Sequence, residues 1–233
     1  MISTVTEAAG LSTDGGHTRV EDLAWAFGLV SPDPAERAAA LDHHARARRE
    51  VEAAHERLHQ GRFPKLWFRA RMRAYSNACG GCFPGALWSG RDYACGEIST
   101  WPRLPLALLF LEWEARYPQD WTEHAKAWGA KQALIRDLAA TDHSPYLRAK
   151  LVELVDLAVR RTYRCKDREY VRVARAVDGD ELRDRLHRAQ CSENPAAQLH
   201  AGYVLWLLDR PEIPNTRHVW RTWHTDLGLV APA

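Results

Sequence analysis

Long apolar runs are missing from this chain of 233 residues. The longest, Leu104–Leu111, spans eight residues with Pro105 inside it, whereas a membrane-spanning helix needs about 20. The opening segment Met1–His17 is small and polar, without a basic region leading into an apolar stretch, so no export signal is read there. Cysteine is scarce and odd in number, at five. Together these argue against a disulfide framework and against a membrane partner, and the expectation is a cytoplasmic protein with reduced thiols. No glycine-rich phosphate loop and no nucleophile elbow is found. Strand signals are nearly absent, with room for a small hairpin only in Phe83–Ile98.

Lysine is also rare, five against 27 arginines. The ratio itself fits a GC-rich coding bias, so the clustering carries the argument. Between Arg46 and Arg73 nine basic residues face three glutamates, and between Arg160 and Arg175 seven face two acids. The first 35 residues hold one arginine against five acids. Guanidinium is a planar, permanently charged fork of donors suited to phosphate and carboxylate.

What remains is helical periodicity. Val20–Val30 reads as a short helix docking through Trp25 or Phe27. Asp33-Pro34 opens a long helix to about Gln60, with Asp33 as N-cap and Pro34 in the first turn. Its apolar stripe of Leu41, Ala45, Val51 and Leu58 is thin. Phe63–Tyr75 reads as a second helix with Leu66, Trp67, Ala70 and Ala74 inward and arginines outward. Pro102–Tyr117 is apolar nearly all round, the mark of a central buried helix. Further helix starts fall at Asp120 (with Glu123 as a capping box), Ser144-Pro145, Asn194-Pro195 and Asn215. The expected fold is all-α, a bundle of roughly eight to ten helices. Residues 1–33 form a flexible segment with a short helix, residues 34–233 a single helical domain, and residues 76–101 one irregular Gly/Cys-rich loop.

That loop holds Cys79, Cys82 and Cys95. Two cysteines three apart in a glycine turn can grip one zinc ion, with Cys95 as a third ligand and His17, Cys165 or Cys191 as a fourth. A cysteine-lined hydrophobic knot explains the same residues. His55-Glu56-Arg57-Leu58-His59 places two imidazoles one turn apart with a glutamate between them. Over these five residues the chain is similar to the zincin metallopeptidase motif, which implies a zinc-dependent hydrolase in which Glu56 activates a water. Arg57 stands where those enzymes carry an apolar residue, and Asp92, Glu97 and Glu112 are candidate third ligands without the family's spacing.

Arg161, Arg164, Arg168, Arg172 and Arg175 would share one face of a helix if that helix ran unbroken through Cys165. Such a stripe can track phosphates, and Arg69, Arg71 and Arg73 beside Tyr75, Trp88 and Tyr93 form a cationic-aromatic mix that can stack bases. Trp220 and Trp223, among Arg217, His218, Arg221 and His224, form either a partner-binding patch or a closing helix docked by both indoles. The expected function is therefore a non-catalytic nucleic-acid-binding accessory or regulatory protein, DNA-binding through these basic faces. A zinc hydrolase and a protein-binding adaptor are the alternatives.

Overall fold

The computed structural model describes residues 20–60, 65–88 and 97–226, and among them it is all-α, without a strand. The chain opens on an 11-residue 3-10 segment, Val20–Val30. Its buried residues Leu23, Ala26 and Leu29 recur every third position, the period of a helix with three residues per turn. Phe27 is left exposed, and Trp25 stacks on His43 with ring centroids 4.3 Å apart. These three buried residues belong to the same continuous core as the rest of the chain.

Helix α1 runs Pro34–His59, and Asp33 Oδ1 accepts from Ala35 N at 2.9 Å. Its buried seam is Ala40, His44, Ala47 and Ala54, while Leu41, Ala45, Val51 and Leu58 are only half-buried. Small residues on the seam let neighbours approach closely. A Cβ on Gly28 would lie 3.0 Å from the Ala40 Cβ. Helix α2 follows as Lys65–Gly81, packing on α1. It extends beyond Tyr75 and carries Cys79 in its last turn. A cis Phe83–Pro84 bond and the four-residue α3, Gly85–Trp88, come next.

Helix α4, Leu104–Arg116, is the centre, with nine of its side chains buried from Leu106 to Ala115. Helix α5, Pro118–His124, starts on Pro118 at the first-turn position that proline favours, not on an Asp120 cap, and α6, Trp128–Ala140, is separate from it. Helix α7, Pro145–Val159, is capped by Ser144 Oγ accepting from Leu147 N. After a 3-10 turn at Asp167–Glu169 come α8, Tyr170–Ala176, and α9, Asp180–Gln190. Helix α10, Pro195–Leu208, is capped by Asn194 Oδ1. Helix α7 packs on α4, α8, α9 and α10, and α4 packs on the Val20–Val30 segment that lies against α1, so α4 and α7 link the N-terminal elements to the C-terminal helices. The last helix, α11, Arg217–Asp226, is capped by Thr216 Oγ1 receiving Val219 N, one residue after the expected Asn215. No helix among the described residues is long and apolar enough to cross a membrane.

Candidate functional site

The basic stripe at 161–175 does not form. Helix α7 ends at Val159, and the chain turns through Lys166, whose φ of 70° lies in the left-handed region that non-glycine residues rarely adopt. The reversal sends Arg161 and Arg164 inward. Arg161 Nη2 donates to Glu114 Oε2 at 2.8 Å and Asp167 Oδ1 at 3.0 Å, and its Nη1 to Asp167 Oδ2 at 2.9 Å. Arg164 Nε lies 3.1 Å from Glu114 Oε1, its Nη2 donates to Thr122 Oγ1, and its guanidinium lies over the Trp121 and Trp128 rings. Burial lowers the Arg164 pKa, and the Glu114 carboxylate opposes that shift.

Lys131 completes this cluster from α6. Its Nζ sits 2.6 Å from Asp167 Oδ1 and 3.0 Å from Glu114 Oε2, with the lysine and glutamate side chains fully buried. Charges removed from water this completely persist only when paired and hydrogen-bonded. Three cations against two carboxylates leave a formal +1 inside the protein.

The other arginines divide. Arg175 Nη2 donates to the carbonyls of Leu207, Arg210 and Ile213, at 3.3, 3.3 and 2.6 Å, and thereby holds the end of α10. Arg172 is exposed and bonds Glu169, which also receives Arg136 and Gln132. The Arg136 hydrogen bond, reinforced by Gln132 and Arg172, takes the Glu169 carboxyl down to about 2. Of the five, Arg168 and Arg175 have no acidic partner among the described residues, and only the Arg168 side chain has no hydrogen-bond or ion-pair partner there. Thus Arg161, Arg164 and Arg175 are structural, committed to buried acids and carbonyls, and are not available to a polyanion.

Beside the cluster lies a cavity of about 560 Å³ between α7, α8, α10 and α11. Its apolar wall is Val155, Ala158, Val159, Val171 and Val204. The aromatic wall comprises Tyr163, Tyr170, Tyr203 and Trp220, with His200 among them. The Tyr203 and Trp220 rings meet edge to face at 4.7 Å. Asn215 closes one corner, receiving the Tyr203 hydroxyl at 3.0 Å and donating to the Arg168 carbonyl at 2.7 Å. Burial lowers the His200 pKa, favouring the neutral imidazole, and pushes the Tyr170 phenol well up. The Tyr170 hydroxyl is buried without a hydrogen-bond partner.

A second surface is the α1–α2 hairpin. Trp67, Phe68 and Met72 are 64%, 51% and 39% exposed, and Ala70 and Ala74 are exposed as well, so Trp67, Ala70 and Ala74 do not face inward as expected. Arg69 and Arg73 are exposed on the same helix, and Arg46, Arg48 and Arg49 on α1. Arg71 differs, donating to the Arg57 and Gln60 carbonyls that α1 leaves open at its end.

Among the described residues the metal candidates gain no assembled ligand set. Cys79 is half-buried in α2 and Cys82 is buried, with burial pushing its thiol up to about 11; Cys95, with Asp92, lies outside the described residues. His55 and His59 sit 4.4 Å apart on an exposed face of α1, beside Tyr75. Among the described residues no group of three metal-ligating side chains comes together around either candidate. Trp223 is buried and Trp220 half-buried, both against Tyr203, so the closing-helix reading describes α11.

Glu114, Lys131 and the cavity residues Val171, His200 and Tyr203 are not singled out by the sequence, whereas Arg168, Arg217 and Trp220 are, for other reasons. A signal existed for two of them. Glu114 falls inside the all-round apolar α4, and Lys131 lies in the helical register of Trp128, Ile135 and Leu138, where a charge must find a buried counter-charge. The chain matches no family model, and no curated protein or solved structure is significantly similar to it.

Proposed function

We propose that this is a non-catalytic nucleic-acid-binding protein, accessory or regulatory, and that it grips single-stranded nucleic acid with the α1–α2 hairpin. The observation supporting the reading is that α2 exposes Trp67 and Phe68 and also Arg69 and Arg73, which have no acidic partner among the described residues. Bases stack on solvent-facing aromatic rings, and nearby guanidinium groups neutralise the backbone. Arg46 and Arg49 are exposed on α1 and add positive charge to the hairpin. The contact set is thereby Arg69 and Arg73 with the two rings, joined by exposed Arg168 and Arg172 only if the strand reaches the far helices.

The test is fluorescence anisotropy of a labelled oligothymidylate over a salt series. Binding should weaken linearly on a log–log salt plot. The double change Arg69→Glu with Arg73→Glu should abolish it while leaving the thermal melt unchanged. Salt-insensitive or absent oligonucleotide binding overturns the reading. Binding to anionic lipid vesicles with none to the oligonucleotide also overturns it, since a basic aromatic helix face can instead lie in a membrane interface.

A further inference from the structure

The cavity between α7, α8, α10 and α11 has the size and lining of a small-molecule site. Its volume of about 560 Å³ sits within the roughly 300–1,000 Å³ of ligand pockets, which are mostly apolar with a few placed polar groups. The floor from Val155 to Val204 offers no hydrogen bonds through its side chains, so whatever fills it presents carbon there. Rings line the remaining wall: Tyr203 and Trp220 at right angles, and His200 6.1 Å from Trp220 and 6.3 Å from Tyr163. Slots of this kind favour a planar occupant.

Charge selects further. Among the described residues Asp167 is the one acid in the lining, and Lys131 and Arg161 pair with it. The ion cluster to which it belongs carries a formal +1. Arg168 and Arg217, the exposed cations of the lining, have no acidic partner among the described residues. Two unpaired guanidinium groups over an apolar, ring-lined interior therefore form an anion-selective mouth.

We propose that this cavity binds a small planar aromatic anion, a ring system carrying a carboxylate or an equivalent acidic group, with the rings against Tyr203 and Trp220 and the anion at Arg168 and Arg217. The site is separate from the α1–α2 hairpin and does not rest on that surface binding nucleic acid. Occupancy would tie α11 to the α7–α8 turn, because the ligand bridges Arg217 and Arg168.

The experiment is calorimetric titration of the full chain with 2-naphthoate and with its neutral counterpart 2-naphthamide. The acid should bind at least ten-fold more tightly than the amide. Arg168→Gln combined with Arg217→Gln should erase that preference; both side chains are exposed, so the fold is retained. Ala158→Leu should reduce binding of both compounds by filling the cavity, and Arg69→Glu with Arg73→Glu should leave both affinities unchanged. Absence of naphthoate binding to the folded protein overturns the proposal. So does equal affinity for acid and amide, or a preference that survives the double arginine change.

Discussion

Lys131 Nζ lies 3.0 Å from Glu114 Oε2, and neither side chain has any exposed surface. The pair joins α6 to α4 through the middle of the core, and Arg161, Arg164 and Asp167 gather round it from the α7–α8 turn. Because cations outnumber carboxylates in the cluster, its two members are not equivalent. Glu114→Gln leaves three cations on the single carboxylate of Asp167. Lys131→Met leaves two arginines on two carboxylates, a balanced set. Removing one partner of a buried pair costs about 3–5 kcal/mol, and Glu114→Gln is expected at or above the top of that range. Lys131→Met is expected to cost clearly less, about 1–2 kcal/mol, since Arg161 still reaches both acids. Urea midpoints at unchanged m-value measure the difference, and an equal cost for both changes would contradict the charge argument.

Acid should lower the stability of the fold over two successive pH windows. His44 is buried between Trp25, Trp113 and His124; among the described residues neither ring nitrogen makes a well-formed hydrogen bond, and the Phe83 backbone only partly opposes the effect of burial. Burial first, then His124 and Arg48, lowers its pKa from 6.5 to about 4. The unfolded chain therefore binds this proton more readily, and stability present above pH 6.5 is lost as pH falls toward 4. The loss is about 3 kcal/mol, at 1.36 kcal/mol per pKa unit. Glu169 acts lower down. Its carboxyl, depressed from 4.5 to about 2, contributes stability above pH 4.5 that disappears as pH falls toward 2. His44→Leu should flatten the upper window and leave the lower one; chemical denaturation as a function of pH separates them.

Helix starts were legible because they are local. Asp33, Ser144 and Asn194 each precede a proline, and each side chain accepts the backbone N–H that its position implies. The central α4 was legible too, since a helix apolar on every side has nowhere to go but inside. The turn after Val159 was not. No glycine or proline lies between Val159 and Tyr170, and the reversal depends on Lys166 taking a left-handed backbone. A spacing of arginines at 161, 164, 168, 172 and 175 was thereby fitted to a helix that does not exist. Helix α1 misled differently. Its bulky residues mark the half-buried flank, while the buried seam is alanine with one histidine.

On α2 the three arginines of the Arg69–Arg73 run should respond differently to mutation. Arg71 holds the Arg57 and Gln60 carbonyls, whereas Arg69 and Arg73 face solvent. Arg71→Ala is expected to destabilise the hairpin by about 1–3 kcal/mol, as hydrogen bonds from a charged donor are lost. Arg73→Ala should leave the melt unchanged and weaken oligonucleotide binding with a reduced salt slope. Trp67→Ala should weaken binding by about 1–3 kcal/mol, the contribution of one stacked base, at unaltered salt slope. Hydrogen exchange along α2 together with anisotropy distinguishes the structural arginine from the binding residues.

The last arginine of the apparent stripe offers the converse test. Arg175 donates to three carbonyls where α10 ends and the chain runs toward α11, and none of these contacts is with an acid. Arg175→Ala leaves those acceptors without their shared donor, at a cost of about 1–3 kcal/mol. The same change subtracts a positive charge, so a stripe that tracked phosphates would also lose affinity and salt dependence. The geometry predicts otherwise: a lower melting temperature, increased exchange of amides around Leu207–Ile213, and oligonucleotide binding equal to wild type below the melt. A change in salt slope with no loss of stability would return Arg175 to the nucleic-acid surface and count against the structural role assigned to it.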